Sequence, residues 1–98
     1  METKVKSKTT LIRREVLEKG GTLYKYELQM KDRKCDNQPM PLYLISIEMA
    51  LEDGSATYAE TGEIFANVNK AIQFFDKLVN NLATPIDLPY VIEDEIKS

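Results

Sequence analysis

The residues able to do chemistry in this chain are carboxylates, a few cations, five tyrosines and one cysteine; there is no histidine. A missing imidazole removes the commonest general base, the usual zinc ligand and every histidine-based triad. Glu93-Asp94-Glu95 offers carboxylates to a divalent cation, but consecutive residues of a helix point in different directions, and a solvated face is the plainer account. Glu48 and Glu60 could meet across neighbouring strands as an acid and a base, yet cross-strand polar residues normally just face solvent. Asp32, Asp36 and Asn37 lack the glycine and closing glutamate of a calcium loop, and Gly20-Gly21 lacks the spaced glycines and Lys-Ser/Thr of a phosphate loop. Tyr24 and Tyr26 flank Lys25 as stacking residues for single-stranded nucleic acid would; core packing accounts for them better. No catalytic set emerges, so the expectation is a protein that is not an enzyme and uses neither metal nor cofactor. Carboxylates working with a metal are the last-ranked alternative.

Charge is more informative than chemistry. The net charge is −3, but residues 1–34 hold ten Lys/Arg against five Asp/Glu, and residues 35–98 hold three Lys against eleven Asp/Glu. The halves either neutralise one another inside the fold or across a dimer, or they leave an acidic surface for a basic partner. The carboxylates for such a surface are Glu48, Glu52, Asp53, Glu60, Glu63, Glu93, Asp94 and Glu95. The competing use of charge is nucleic-acid binding by Lys4, Lys6, Lys8, Arg13 and Arg14, which the acidic remainder disfavours. A single cysteine, Cys35, rules out an intramolecular disulfide and suits a reducing cytosol, so a cytoplasmic location is expected. No apolar run is long enough to span a membrane, and no hydrophobic segment follows the first lysines as a secretory signal would require.

The elements that would position these side chains are centred on residues 67–96. Val68, Ala71, Ile72, Phe75, Leu78, Val79 and Leu82 recur at three- and four-residue steps, with polar residues on the opposite arc, which predicts one amphipathic helix lying on a core. Asn67 is its expected N-cap, and Thr84-Pro85 its stop. Asp87 is expected to cap a short second helix that buries Leu88, Val91, Ile92 and Ile96, with Pro89 in its first turn. Upstream, Thr22 to Met30 alternates as a strand with Tyr24, Tyr26, Leu28 and Met30 on one side. Leu42 to Leu51 is a second clear strand, with Tyr43, Ile45, Ile47, Met49 and Leu51 inward. Its other face carries Leu42 and Leu44, which suggests some cover on that side, a second subunit being one source of it. Thr9 to Lys19 fits helix or strand; Gly20-Gly21, a hairpin signal, decides for strand. Asp53-Gly54 turns the chain into a last strand, Ser55 to Thr61, with Tyr58 inward. Lys31 to Met40 reads as a polar loop. The expected architecture is a flexible basic tail over residues 1–8 and a single α+β domain over 9–98. In it, an antiparallel meander of about four strands is packed by one amphipathic helix and a short C-terminal helix.

The order Tyr24-x-Tyr26-x-Leu28, Tyr43-x-Ile45-x-Ile47, then Thr84-Pro85-x-x-Leu88-x-x-Val91-Ile92-Glu93-Asp94 resembles a family of small uncharacterised proteins of Gram-positive bacteria, classed as a domain of unknown function. The resemblance covers Tyr24 to Ile96. The family more usually has Gly where this chain has Leu44, and often Asp where it has Asn67. The resemblance supplies no catalytic residues and implies an accessory protein that works by binding, in some members on mobile elements. The functional expectation is a non-enzymatic protein-binding module acting on a basic protein surface. Its most concrete form is a mobile-element inhibitor of a nucleic-acid-handling complex, anti-CRISPR-like, whose carboxylates mimic phosphates. A small nucleic-acid-binding regulator is the alternative, and a homodimer fits both of these and the last-ranked enzyme reading.

Overall fold

A computed structural model describes residues 9–32, 34–35 and 38–97. The expected basic tail, with Lys4, Lys6 and Lys8, and the turn residues Asp36 and Asn37 lie outside the described residues, as do the side chains of Cys35 and Ile96. The chain order is β1 (Thr9–Lys19), β2 (Thr22–Lys31), β3 (Lys34–Cys35), β4 (Gln38–Pro39), β5 (Leu42–Ala50), β6 (Ala56–Glu60), α1 (Val68–Asn80) and α2 (Leu88–Lys97). Strands β1, β2, β5 and β6 form one antiparallel sheet in that order, and β3 and β4 pair separately. The α+β meander expected from the sequence is the observed fold. The 31–40 segment, expected as a loop, contains the short β3–β4 pair.

Turn chemistry sets the sheet. Gly20 and Gly21 both have positive φ (56° and 82°), the pair of left-handed residues that a type I′ turn needs and that only glycine adopts cheaply. A Cβ on Gly21 would meet the Glu52 carboxylate, so the β1–β2 and β5–β6 turns sit side by side at one end of the sheet. In the second turn the Asp53 carboxylate accepts hydrogen bonds from the Ser55 N–H (2.9 Å) and hydroxyl (2.6 Å). Those two bonds hold its carboxyl below the usual carboxylate range.

One face of the sheet carries the core. Register places Tyr26 opposite Ile47, Leu28 opposite Ile45 and Met30 opposite Tyr43. These residues pack with Phe65, Ala71, Phe74, Phe75, Leu78, Ala83 and Leu88 into one cluster, and the Phe65 and Phe74 ring centroids are 5.2 Å apart. The chain after β6 keeps to the β5 edge: Thr61 N–H donates to Ile45 C=O (2.8 Å) and Tyr43 N–H to Phe65 C=O (2.8 Å). Residues 62–64 bulge out between those bonds.

Helix α1 starts as expected, with the Asn67 side-chain oxygen accepting from Asn69 N–H (2.8 Å) and Lys70 N–H (3.1 Å). It ends earlier than expected. Leu82, placed by periodicity on the helix's apolar arc, lies beyond it with φ 51°. Leu82 N–H donates to Val79 C=O and Ala83 N–H to Leu78 C=O, the paired closing bonds of a Schellman motif. The stop therefore precedes Thr84-Pro85, because those bonds consume the carbonyls a further turn would need. Thr84 and Asp87 then form a reciprocal box. Thr84 N–H donates to the Asp87 carboxylate (3.1 Å) and Asp87 N–H to the Thr84 hydroxyl (3.3 Å), with Pro85 between them where a missing N–H costs nothing. Asp87 stands where the cap of α2 was expected and its carbonyl accepts from Tyr90 and Val91, but its side chain reaches back to Thr84 in place of capping the helix.

The buried Tyr26 hydroxyl donates to the Ala83 carbonyl (2.8 Å), tying the inter-helix segment to the sheet. Burial pushes the Tyr26 phenol up to about 12, with Tyr24 and Asp87 adding to the effect.

Candidate functional site: the open sheet face

Both helices contribute to the cluster on the Tyr26 face. The opposite face follows from register: Arg14, Val16 and Glu18 on β1; Leu23, Lys25, Glu27, Gln29 and Lys31 on β2; Leu42, Leu44, Ser46, Glu48 and Ala50 on β5; Ala56, Tyr58 and Glu60 on β6. No described helix lies over it. Val16 (51% exposed), Leu23 (44%) and Tyr58 (61%) present apolar surface there. Val16, Leu23, Lys25, Glu48 and Ala50 line a shallow depression of about 250 Å³.

Polar order on this face is laid out in rows. Val16, Lys25, Glu48 and Tyr58 face one another in sequence across the four strands, and Lys25 Nζ lies 3.4 Å from Glu48. In the next row Arg14 pairs with Glu27 at 2.9 Å, and Glu27 also accepts from the Gln29 amide (3.1 Å). Ser46, the one buried polar side chain among the described residues, stands between Glu27 and Glu60. Burial and the nearby Glu60 carboxylate raise the Tyr58 phenol above its ordinary value. Tyr58 is therefore on the open face and not inward as expected; Ala59, opposite Ile47, takes the inward place.

Glu48 and Glu60 do not face each other. Glu48 lies opposite Tyr58 and Glu60 opposite Ser46, a diagonal relation that does not assemble an acid and a base. The eight carboxylates expected to form one acidic surface fall into three places. Glu48, Glu52, Asp53 and Glu60 belong to β5, β6 and the turn between them. Glu63 reaches Lys31 at 3.0 Å from the far end of the sheet. Glu93, Asp94 and Glu95 ride on α2 in the helical layer, where Glu95 approaches Lys77 (3.7 Å). Of the basic set, Arg14 is engaged by Glu27, and Arg13 donates to Ile12 C=O (3.1 Å). Among the described residues no group of three His, Cys, Asp or Glu could hold a metal ion, and no helix is long and apolar enough to cross a membrane.

Leu44, with Leu42, was expected to be under some cover on this face. It is only 5% exposed within the single chain. Lys31 stands opposite Leu42, so the Lys31–Glu63 pair spans β5 and lies over this end of the face. Exposed apolar side chains on this face sit at the Val16–Leu23–Tyr58 end and, on β1 opposite Gln29, at Leu11. Exposed apolar residues at alternate strand positions were the signal for it, and they became legible only once register joined β1, β2 and β6.

No curated protein and no solved structure matches the chain. A family model does match, over residues 7–98, which takes in β1 as well as the segments whose motifs suggested a family of unknown function. The chain belongs to that family, the family of unknown function DUF6514.

Proposed function

We propose that the chain is a non-enzymatic protein-binding module that docks a partner on the open face of its sheet. The observation that carries this is the exposure of Val16, Leu23 and Tyr58 on one face around the Lys25–Glu48 pair. Val16 and Leu23 form a small apolar patch beside the Lys25–Glu48 pair, with Tyr58 on the pair's other side, and a binding patch typically has an apolar centre and a polar rim. The rim here is acidic at the turn end, with Glu18, Glu52 and Asp53, and on β6, with Glu60. The partner that fits is a protein with an apolar patch edged by Lys or Arg. The finer form of the reading is an inhibitor that occupies a basic channel of a nucleic-acid-handling complex, and it would draw on Glu48, Glu52, Asp53 and Glu60.

The test is affinity capture from lysate of the source cell at low and moderate salt, comparing wild type with a Val16→Glu/Leu23→Lys variant. Each new charge lies opposite a complementary one, Lys25 and Glu18, so the strand pairing is preserved. Loss of a stoichiometric protein partner with this variant is the expected result. Undiminished capture would remove the open face from the account, and recovery of nucleic acid alone would return the basic segment to first place.

A further inference from the structure

The sheet has two free edges, and the chain treats them differently. Edge strand β1 carries Arg13, Arg14, Glu15, Glu18 and Lys19, and its register is broken between Leu11 and Arg13. Charges and a bulge are the standard means of keeping an edge from pairing. Edge strand β6, Ala-Thr-Tyr-Ala-Glu, has neither lysine, arginine, proline nor bulge; its register with β5 runs unbroken through all five residues. Ala56, Thr57, Tyr58 and Glu60 are exposed, so none of the described residues covers it. Helix α1 lies over β2 and β5.

The ladder fixes which backbone groups point outward. Thr61 N–H donates to Ile45 C=O and Leu51 N–H to Ser55 C=O at the two ends of the β5–β6 pair. In an antiparallel ladder hydrogen-bonded positions alternate, so Thr57 and Ala59 bond to β5. Ala56, Tyr58 and Glu60 turn their N–H and C=O groups away from the sheet.

We propose that this edge pairs with β6 of a second copy of the chain, antiparallel, with Tyr58 opposite Tyr58 on the two-fold axis. In that register Ala56 faces Glu60 on both sides of the axis and Thr57 faces Ala59. All five residues are engaged, the three outward-directed residues of each copy exchange both bonds, and no like charges oppose. Sliding the strands to bring Glu60 to the axis would set two carboxylates face to face, which disfavours that alternative. Thr57 and Ala59 are small on the helix side, so their side chains do not obstruct a continuous eight-stranded sheet. Its two open faces would merge into one surface.

Sedimentation equilibrium is expected to show a species of twice the 11.2 kDa chain mass that dissociates on dilution. Ala56→Glu places like charges opposite each other twice by symmetry and is expected to weaken the dimer by about threefold to thirtyfold. Ala56→Lys, facing Glu60, is expected to strengthen it by a similar factor. Tyr58→Cys in a Cys35→Ser background is expected to cross-link under oxidation, since facing Cα atoms there lie about 5.5 Å apart, within disulfide reach. A chain that stays monomeric at every concentration would overturn the proposal. So would a dimer indifferent to both Ala56 substitutions. Neither result bears on partner docking, which is tested at Val16 and Leu23.

Discussion

Tyr26 does two jobs with one side chain. Its ring is wholly buried against Ile47 and the helices, and its hydroxyl holds the Ala83 carbonyl. Tyr26→Phe leaves that carbonyl without the hydroxyl and is expected to cost about 1–2 kcal/mol at neutral pH, measured by urea unfolding. The pH dependence follows from the phenol being raised from 10 to about 12. Between those values the unfolded chain gives up the proton that the folded chain retains, so stability falls as pH rises. The loss is about 2–3 kcal/mol across the window. The Phe variant lacks this slope, and its unfolding free energy is expected to approach and then exceed that of wild type by pH 12. Gly21 is the second residue with a defined cost. Gly21→Ala forces a left-handed alanine against the Glu52 carboxylate and is expected to lower stability by about 1–2 kcal/mol in the same assay.

The helical elements are joined by side chains more than by bulk. The Thr84–Asp87 box stands where α1 has closed and α2 has not begun. Thr84→Ala and Asp87→Ala are each expected to cost about 1 kcal/mol. Because the two bonds are reciprocal, the double variant is expected to cost less than the sum of the singles in a thermal-melt cycle. The sequence made much of this level legible. Tyr24–Met30 alternates cleanly and Tyr43–Met49 does so apart from Leu44, Gly20-Gly21 and Asp53-Gly54 mark their turns, and Asn67 caps where expected. The misses have physical causes. Leu82 adopts a left-handed conformation that Gly or Asn usually signals, so periodicity carried the helix one turn too far. In β6 alternation groups Tyr58 with Ala56 and Glu60 but does not say which group faces the core. Choosing the largest ring as inward was wrong, because register with Ile47 assigns that place to Ala59. The carboxylate set was legible as residues and not as a surface, since charge carries no information about faces.

At the scale of the molecule, the chain measures 48 × 39 × 19 Å. Its shortest dimension is that of one sheet and one helix layer at about 10 Å each. Its radius of gyration of 15.1 Å exceeds the roughly 13 Å of a compact domain of this length. A flat two-layer body leaves one sheet face without cover. Part of the charge asymmetry is used within that body: Lys25–Glu48 and Lys31–Glu63 join the basic first third to the acidic remainder. Exposed pairs of this kind contribute at most about 1 kcal/mol. Lys25→Ala is therefore expected to change the melting temperature little while altering capture of the partner.

The most direct measurement is the dissociation constant of the captured partner for three forms of the chain: wild type, Val16→Glu/Leu23→Lys on the open face, and Glu93→Lys/Asp94→Lys on α2. The open-face variant is expected to bind at least tenfold more weakly, while the α2 variant stays within about threefold of wild type, differences of roughly 1.4 and 0.65 kcal/mol. The reverse pattern, with the α2 variant weakened and the open-face variant intact, would contradict this expectation and make the helical layer the binding surface.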